Sequence, residues 1–148
     1  MKTLLTAAAL TLAAGAAHAC PDYAYSGYGI SGSGSQLYSA STYQVVAGGN
    51  INLANCGQPG YGYVAAAPDF ELYYSQDGGY ELTFRLNTNC DSILLINDPN
   101  GNWWWDDDSN GNLDAMINVG RGVSGTYDIW VGTVNPSSCD ASITFETF

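Results

Sequence analysis

The chain has 148 residues, with fourteen acidic side chains against three basic ones and a formal net charge of −11. Such a surface repels nucleic acid and anionic membranes, because both are bound through Lys and Arg. The one histidine, His18, lies in the predicted leader described next. The rest of the chain contains no histidine, which excludes Ser-His-Asp and Cys-His catalysis and histidine-ligated zinc or copper sites there.

The first predicted element is an export signal. Residues 1–19 carry a Lys and an apolar run and end in Ala17-His18-Ala19, which matches the A-x-A cleavage pattern of signal peptides. We therefore expect a secreted or periplasmic protein that begins at Cys20, with Arg85 and Arg121 as its only basic side chains and a formal charge of −12. A lipoprotein signal is the alternative, because Cys20 follows the cleavage site, but the usual Leu three residues before it is absent. No later apolar run is long enough to span a bilayer.

Residues 20–69 are predicted to form a loop-rich N-terminal segment. Tyr, Gly and Ser dominate its first half, and Ser31 to Ser35 has the composition of a flexible linker. Two short β-rich runs follow, Thr42 to Ala47 and Ile51 to Ala54. We expect a loosely held segment that Cys20 ties to the rest of the chain.

Residues 70–148 show regular strand patterns. Tyr80, Leu82, Phe84 and Leu86 alternate with polar residues as in a half-buried strand, whereas Ile93 to Ile96 is apolar throughout, as in a strand covered on both faces. Further strands are predicted around Phe70 to Tyr74, Trp103 to Trp105, Ala115 to Val119, Tyr127 to Val131 and Ile143 to Phe145. About eight short strands at this spacing favour an all-β sandwich or barrel. We expect residues 20–148 to form one structural domain.

An acidic loop lies between two of these strands. Its residues Asp106, Asp108, Asn110 and Asp114, with Gly111 at the sharp turn, have the spacing of the first part of a calcium-binding loop. Asp107 and Asp98 are candidate additional ligands, and Ca²⁺ would offset the repulsion between adjacent carboxylates. An EF-hand is excluded, because position 12 is Ile117 rather than Glu and the flanks are strand-like. A solvated turn rich in Asp, Asn and Gly explains the same residues equally well.

Tryptophans adjoin this loop. Trp103, Trp104 and Trp105 cannot all face the core, because neighbours on a strand point to opposite faces. An exposed Trp104 can stack on a sugar ring or a proline-rich polymer, and Trp130, predicted on an outer face with Asp128, is a second candidate that would enlarge the patch. The alternative is that single aromatic residues simply cover the outer face of a sheet.

Four cysteines follow the leader, and an even number in an exported chain predicts two disulfides. Three pairings are possible. Cys90-Asp91-Ser92-Ile93 and Cys139-Asp140-Ala141-Ser142-Ile143 look alike, which favours Cys90–Cys139 and therefore Cys20–Cys56. Each bond closes a loop of several dozen residues and is expected to contribute roughly 4 kcal/mol by the chain-entropy model, less any strain.

Three features occur together in the stretch from Tyr80 to Thr133: the turn Asp98-Pro99-Asn100-Gly101, the acidic cluster Asp106-Asp107-Asp108 and the late strand that begins Gly125-Thr126-Tyr127. With these features the stretch resembles the bacterial pre-peptidase C-terminal domain. The resemblance covers residues 70–148. It implies a jelly-roll-like antiparallel β-sandwich of a kind usually attached to secreted peptidases, of which some bind calcium and some bind insoluble polymers.

We therefore expect a secreted, non-enzymatic binding or adhesion module with no catalytic residues, with Ca²⁺ as its cofactor and an extracellular protein or polysaccharide as its partner. One alternative is a hydrolase, either a peptidase by family association or a glycosidase that uses paired carboxylates. Another is a structural envelope protein.

Overall fold

The computed structural model describes residues 19–148, so the predicted signal peptide lies outside it except for Ala19. The elements of this part, in chain order, are β1 (Tyr28–Ser33), α1 (Gly34–Leu37), β2 (Ser41–Gly48), β3 (Ile51–Asn52), β4 (Tyr63–Val64), β5 (Phe70–Ser75), β6 (Glu81–Thr88), β7 (Ser92–Asn97), β8 (Trp103–Asp106), β9 (Met116–Arg121), β10 (Gly125–Thr133) and β11 (Ser138–Thr147). A 3₁₀ turn, Leu53–Asn55, follows β3.

Two sheets pack face to face, which confirms the predicted all-β sandwich. The larger sheet has the order β1-β5-β10-β4-β3, and β7 pairs with β10 and carries β8 at its edge. The smaller sheet has the order β2-β11-β6-β9. Every pair is antiparallel except β1 and β5, which run parallel. The described chain has eleven strands rather than about eight, and the strands β1 and β4 of the N-terminal segment were not predicted.

The main core lies between the sheets and follows the predicted alternation. Leu82, Phe84 and Leu86 of β6 are at most 1% exposed. Their apolar partners come from both sheets, and aromatic rings meet edge to face at the centre, where the centroids of Phe84 and Phe145 are 5.7 Å apart. Side chains that point into this core cannot contact a ligand, so only the opposite face of each strand is available for binding.

A second apolar layer covers the opposite, outer face of the larger sheet. Leu53, Val64, Ile93, Leu95 and Trp130 are each 0% exposed there. The covering residues come from the chain around the 3₁₀ turn and β4. β7 is therefore buried on both faces, as its unbroken apolar sequence predicts.

The prediction of a flexible linker at Ser31–Ser35 is wrong. These residues belong to β1 and α1, and the Ser33 hydroxyl accepts a hydrogen bond from the amide of Gln36, as in a capping box. A Cβ at Gly34 would lie 2.8 Å from the Asp77 carbonyl oxygen. Glycine at this position therefore permits close packing, not flexibility.

Both predicted disulfides are confirmed. Cys20 joins Cys56, which ties the N-terminus to the chain after β3, and Cys90 joins Cys139, which ties the β6–β7 turn to β11. Across residues 19–148, no helix is long and apolar enough to cross a membrane.

Candidate functional site

The acidic loop is held together by its own side chains. Asp106 accepts hydrogen bonds from the amides of Ser109 and Met116, at 3.0 and 2.9 Å. The Asn110 side-chain amide donates to the carbonyl of Leu86 at 2.6 Å, on the neighbouring sheet. The Asp106 carboxylate therefore holds the loop's own turn and the start of β9, and the Asn110 side chain ties the loop to β6.

Asp114 and Asp107 also have separate partners. Asp114 is 4% exposed, and its Oδ1 lies 2.7 Å from the Thr88 hydroxyl. Asp107 accepts a hydrogen bond from Tyr61, and this bond is the main reason that the pKa of Tyr61 is raised to about 12.

Asp98 organises the turn between β7 and β8. Its carboxylate accepts hydrogen bonds from the Trp104 indole at 3.0 Å and from the amides of Asn100 and Asn102 at 2.9 Å each. Burial raises the pKa of Asp98, but the hydrogen bonds from Asn102, Trp104 and Asn100 outweigh it and leave the pKa below its usual value. Asp98 therefore stabilises the turn between β7 and β8. The other candidate metal ligands lie apart from it, on the acidic loop.

The predicted metal ligands do not converge. In residues 19–148, no three acidic, histidine or cysteine side chains lie together in a way that could hold a metal ion. Two of the candidate side chains already have partners within the protein: the Asn110 Nδ2 group donates to the Leu86 carbonyl, and Asp114 Oδ1 accepts from the Thr88 hydroxyl. Calcium binding at this loop stays a prediction.

The predicted tryptophan patch needs correction. Trp130 is 0% exposed beneath the second apolar layer, and Trp104 is half-buried against the main core, with its indole held by Asp98. The two therefore form no exposed patch. Trp103 and Trp105, on the other face of β8, pack at the edge of the second layer. Strand alternation places Trp130 on the outer face correctly, but it cannot show that distant segments cover it.

Next to this layer, a row of polar side chains crosses the outer face of the larger sheet. The strand register aligns Glu71 of β5, Asp128 of β10, Asn97 of β7 and Trp103 of β8. Their neighbours along each strand face the main core, so these four side chains point outward. The sequence alone does not show this row, because it forms only through the register of four strands.

The row opens onto a surface cleft of about 480 Å³, which we call the Asp128 cleft. Its lining residues are Tyr23, Asn97, Asp98, Pro99, Gly101, Ser124, Gly125, Thr126 and Asp128. Tyr23 forms the aromatic border: its side chain is 58% exposed, and its ring centroid lies 6.3 Å from that of Trp103. The cleft therefore combines an acidic floor with an accessible ring.

Asp128 is buried without a hydrogen-bond partner on one oxygen. It is 7% exposed, and its Oδ1 accepts no hydrogen bond from the described residues. Burial, and then the charge of Glu71, raise the pKa of Asp128 to about 6. Glu71 itself accepts hydrogen bonds from the Gly27 amide at 3.2 Å and the Tyr73 hydroxyl at 3.3 Å.

Neither basic side chain of the described chain neutralises this pair. Arg85 forms an ion pair with Glu146 on the smaller sheet, and Arg121 is the last residue of β9 in that sheet. Like charges directly opposite each other on neighbouring strands are destabilising. The Asp128–Glu71 pair is therefore uncompensated within the described chain.

A second buried acid lies nearby, also missed from the sequence. Asp69 accepts a hydrogen bond from the amide of Val131 at 2.7 Å, and burial raises the pKa of Asp69 to about 7 despite that bond. It lines a separate shallow cleft of about 320 Å³ with Tyr28, Tyr43 and Phe70, between the edges of the two sheets. Asp128 has a buried oxygen without a partner and is therefore the sharper candidate.

Comparison with known proteins assigns no family. No family model and no curated protein matches the chain, so the resemblance to the pre-peptidase C-terminal domain stays a prediction. Among solved structures, the chain is similar to the crystal structure of Aeromonas hydrophila PliG, a periplasmic lysozyme inhibitor of g-type lysozyme. The TM-score is 0.47 and the identity 9%, over 83% of this chain and 98% of that chain. A likeness at this level carries no information about ligand or partner.

Proposed function

We propose that this chain is an exported, non-enzymatic binding protein that engages its ligand at the Asp128 cleft. The observation that carries the proposal is the Asp128 carboxylate, which lines an open cleft, lies opposite Glu71, is 7% exposed and has an oxygen without a hydrogen-bond partner in the described chain. A buried carboxylate without a full set of partners destabilises the free protein. A ligand that donates to it would recover that free energy on binding.

Export is supported by the two disulfides, which form and persist in oxidising compartments. The predicted signal peptide points the same way. The localisation we propose is therefore secreted or periplasmic, without a lipid on Cys20, whose sulfur is already in a disulfide.

A binding role fits the site better than a catalytic one. A glycosidase needs an acid and a second carboxylate free to attack or to activate water. Here Glu71 is held by the Gly27 amide and the Tyr73 hydroxyl, both on Oε2, and it is not among the residues that line the cleft. Asp128 is therefore the acid of the pair that a ligand in the cleft meets.

The experiment compares wild type, Asp128→Asn and Asp140→Asn on arrayed 15-residue peptides and soluble oligosaccharides. Asp140 is an exposed acid on β11 of the other sheet, so its substitution removes the same charge away from the cleft. Ligands of the wild type should be lost in Asp128→Asn and kept in Asp140→Asn. Equal loss in both variants would contradict the proposal, as would turnover of any probe that disappears in Asp128→Asn.

A further inference from the structure

The geometry points to the chemical class of the ligand: we propose that the Asp128 cleft takes an arginine side chain of a basic polypeptide partner. This inference rests on the proposed function and narrows it. It follows from the charge of the site, the aromatic border and the charge of the whole chain.

The charge of the site favours a cation over a neutral ligand. Asp128 and Glu71 face each other directly across β10 and β5, and the one ion pair of the described chain, Arg85–Glu146, lies on the other sheet. A sugar hydroxyl could donate to the Asp128 carboxylate but would leave both negative charges uncompensated. A guanidinium supplies the donor and also neutralises the charge, and a charge-assisted hydrogen bond is roughly twice as strong as a neutral one.

The aromatic border favours arginine over lysine. The exposed ring of Tyr23 lines the same cleft as Asp128. A planar guanidinium stacks on an aromatic face while its N–H groups bond a carboxylate, whereas an ammonium is a more strongly hydrated point charge. Asn97, at the cleft floor beside Asp128, adds a side-chain carbonyl that can accept a further N–H.

The charge of the whole chain favours a basic polypeptide as the source of that arginine. The chain after the predicted leader has fourteen acidic side chains and two basic ones. Such a field speeds the approach of a positively charged partner, and it does so less as ionic strength rises. A polypeptide that carries several positive charges gains more from this field than a small cation with a single charge does.

The test is an NMR titration of the chain that begins at Cys20, with its disulfides intact, at pH 7.5 and 150 mM salt. The probe is acetyl-Gly-Arg-Gly-amide. The matched control is the same peptide with citrulline in place of arginine, because citrulline keeps the shape and loses the charge. Cellotetraose provides the sugar arm.

The arginine peptide should shift the resonances of Tyr23, Asn97 and Thr126 and bind at least about tenfold more tightly than the citrulline peptide. Asp128→Asn should remove that preference, and Asp140→Asn should keep it. Equal binding of the two peptides would overturn the inference. Binding of cellotetraose at the cleft without the arginine peptide would also overturn it, while leaving the proposed binding function standing.

Discussion

At the scale of single residues, the acidic loop contains carboxylates with different roles. Asp114 is buried beside the Thr88 hydroxyl, whereas Asp108 is exposed and its side chain has no hydrogen bond within the described chain. Asp114→Ala should therefore lower the free energy of unfolding by about 1–3 kcal/mol, because it removes a buried carboxylate and the hydrogen bond that the Thr88 hydroxyl makes to it. Asp108→Ala should change it by less than about 0.5 kcal/mol. Urea denaturation measures both, and equal effects would contradict these roles.

The same pair of variants tests calcium binding. If the sequence motif is correct, Ca²⁺ at a hundredfold excess over Kd stabilises the wild type by about 2.7 kcal/mol, and Asp108→Ala removes the gain. The loop would then have to bring its carboxylates closer together than they lie in the described chain. A melting temperature that does not change with Ca²⁺ would show that the loop is a turn held by its own hydrogen bonds and not a calcium site.

At the scale of elements, the turn at the end of the acidic loop is strained. Asn112 and Leu113 both have left-handed backbone conformations, with φ of 55° and 62°, between the bridged residues Gly111 and Asp114. This conformation costs a residue such as Leu about 1–2 kcal/mol, whereas Asn tolerates it well. Leu113 is 54% exposed, so little packing is lost on substitution.

Leu113→Asn should therefore raise the free energy of unfolding by about 1 kcal/mol. Leu113→Ala is the matched control, because it shortens the side chain but keeps the Cβ in the left-handed region. A thermal melt of both variants against the wild type makes the comparison. Equal gains in the two variants would show that the exposed side chain, not the backbone, is responsible.

At the scale of the whole molecule, buried acids set the dependence of stability on pH. The pKa is about 7 for Asp69 and about 6 for Asp128, both above the ordinary value of 3.8. A raised carboxyl pKa means that the folded state holds its proton longer than the unfolded chain does. The resulting stabilisation is complete below the ordinary pKa and is lost as pH rises through 6 and 7.

Stability should therefore fall between pH 4.5 and pH 8, where many proteins are most stable. Asp128→Asn should reduce that fall by up to about 2 kcal/mol, since the Asp128 pKa of about 6 lies about 1.5 units above pH 4.5 and one pKa unit corresponds to about 1.4 kcal/mol. The charged or titratable groups near Asp128 are Glu71, Asp98 and Tyr23, so no cation offsets the effect. Asp140→Asn controls for the general repulsion of an acidic chain. Identical pH profiles for the two variants would contradict the assignment.

The sequence predicts those parts of the fold that depend on local alternation. Leu82, Phe84 and Leu86 lie in the core as expected, and the likeness between the segments at Cys90 and Cys139 identifies their disulfide. α1 was missed because its capping box lies within a Gly-Ser run that has the composition of a linker. The hydrogen bonds of such a capping box cannot be inferred from composition alone.

The candidate site was missed for a different reason. Asp128 pairs with Glu71 and Asn97 only through the register of three strands, and Tyr23 reaches the cleft from the N-terminal loop. None of these relations is visible from spacing along the chain. Trp130 is covered by residues of the 3₁₀ turn and β4, so its outward direction did not imply exposure.

The most direct test of this account is the pKa of Asp128, followed by carbon-detected NMR of its carboxyl group. The measurement uses the disulfide-bonded chain, free and with saturating acetyl-Gly-Arg-Gly-amide. The account predicts a pKa of about 6 in the free protein and a marked decrease when the peptide binds, because a bound cation favours the carboxylate. An ordinary pKa near 3.8 in the free protein, unchanged by the peptide, would contradict it.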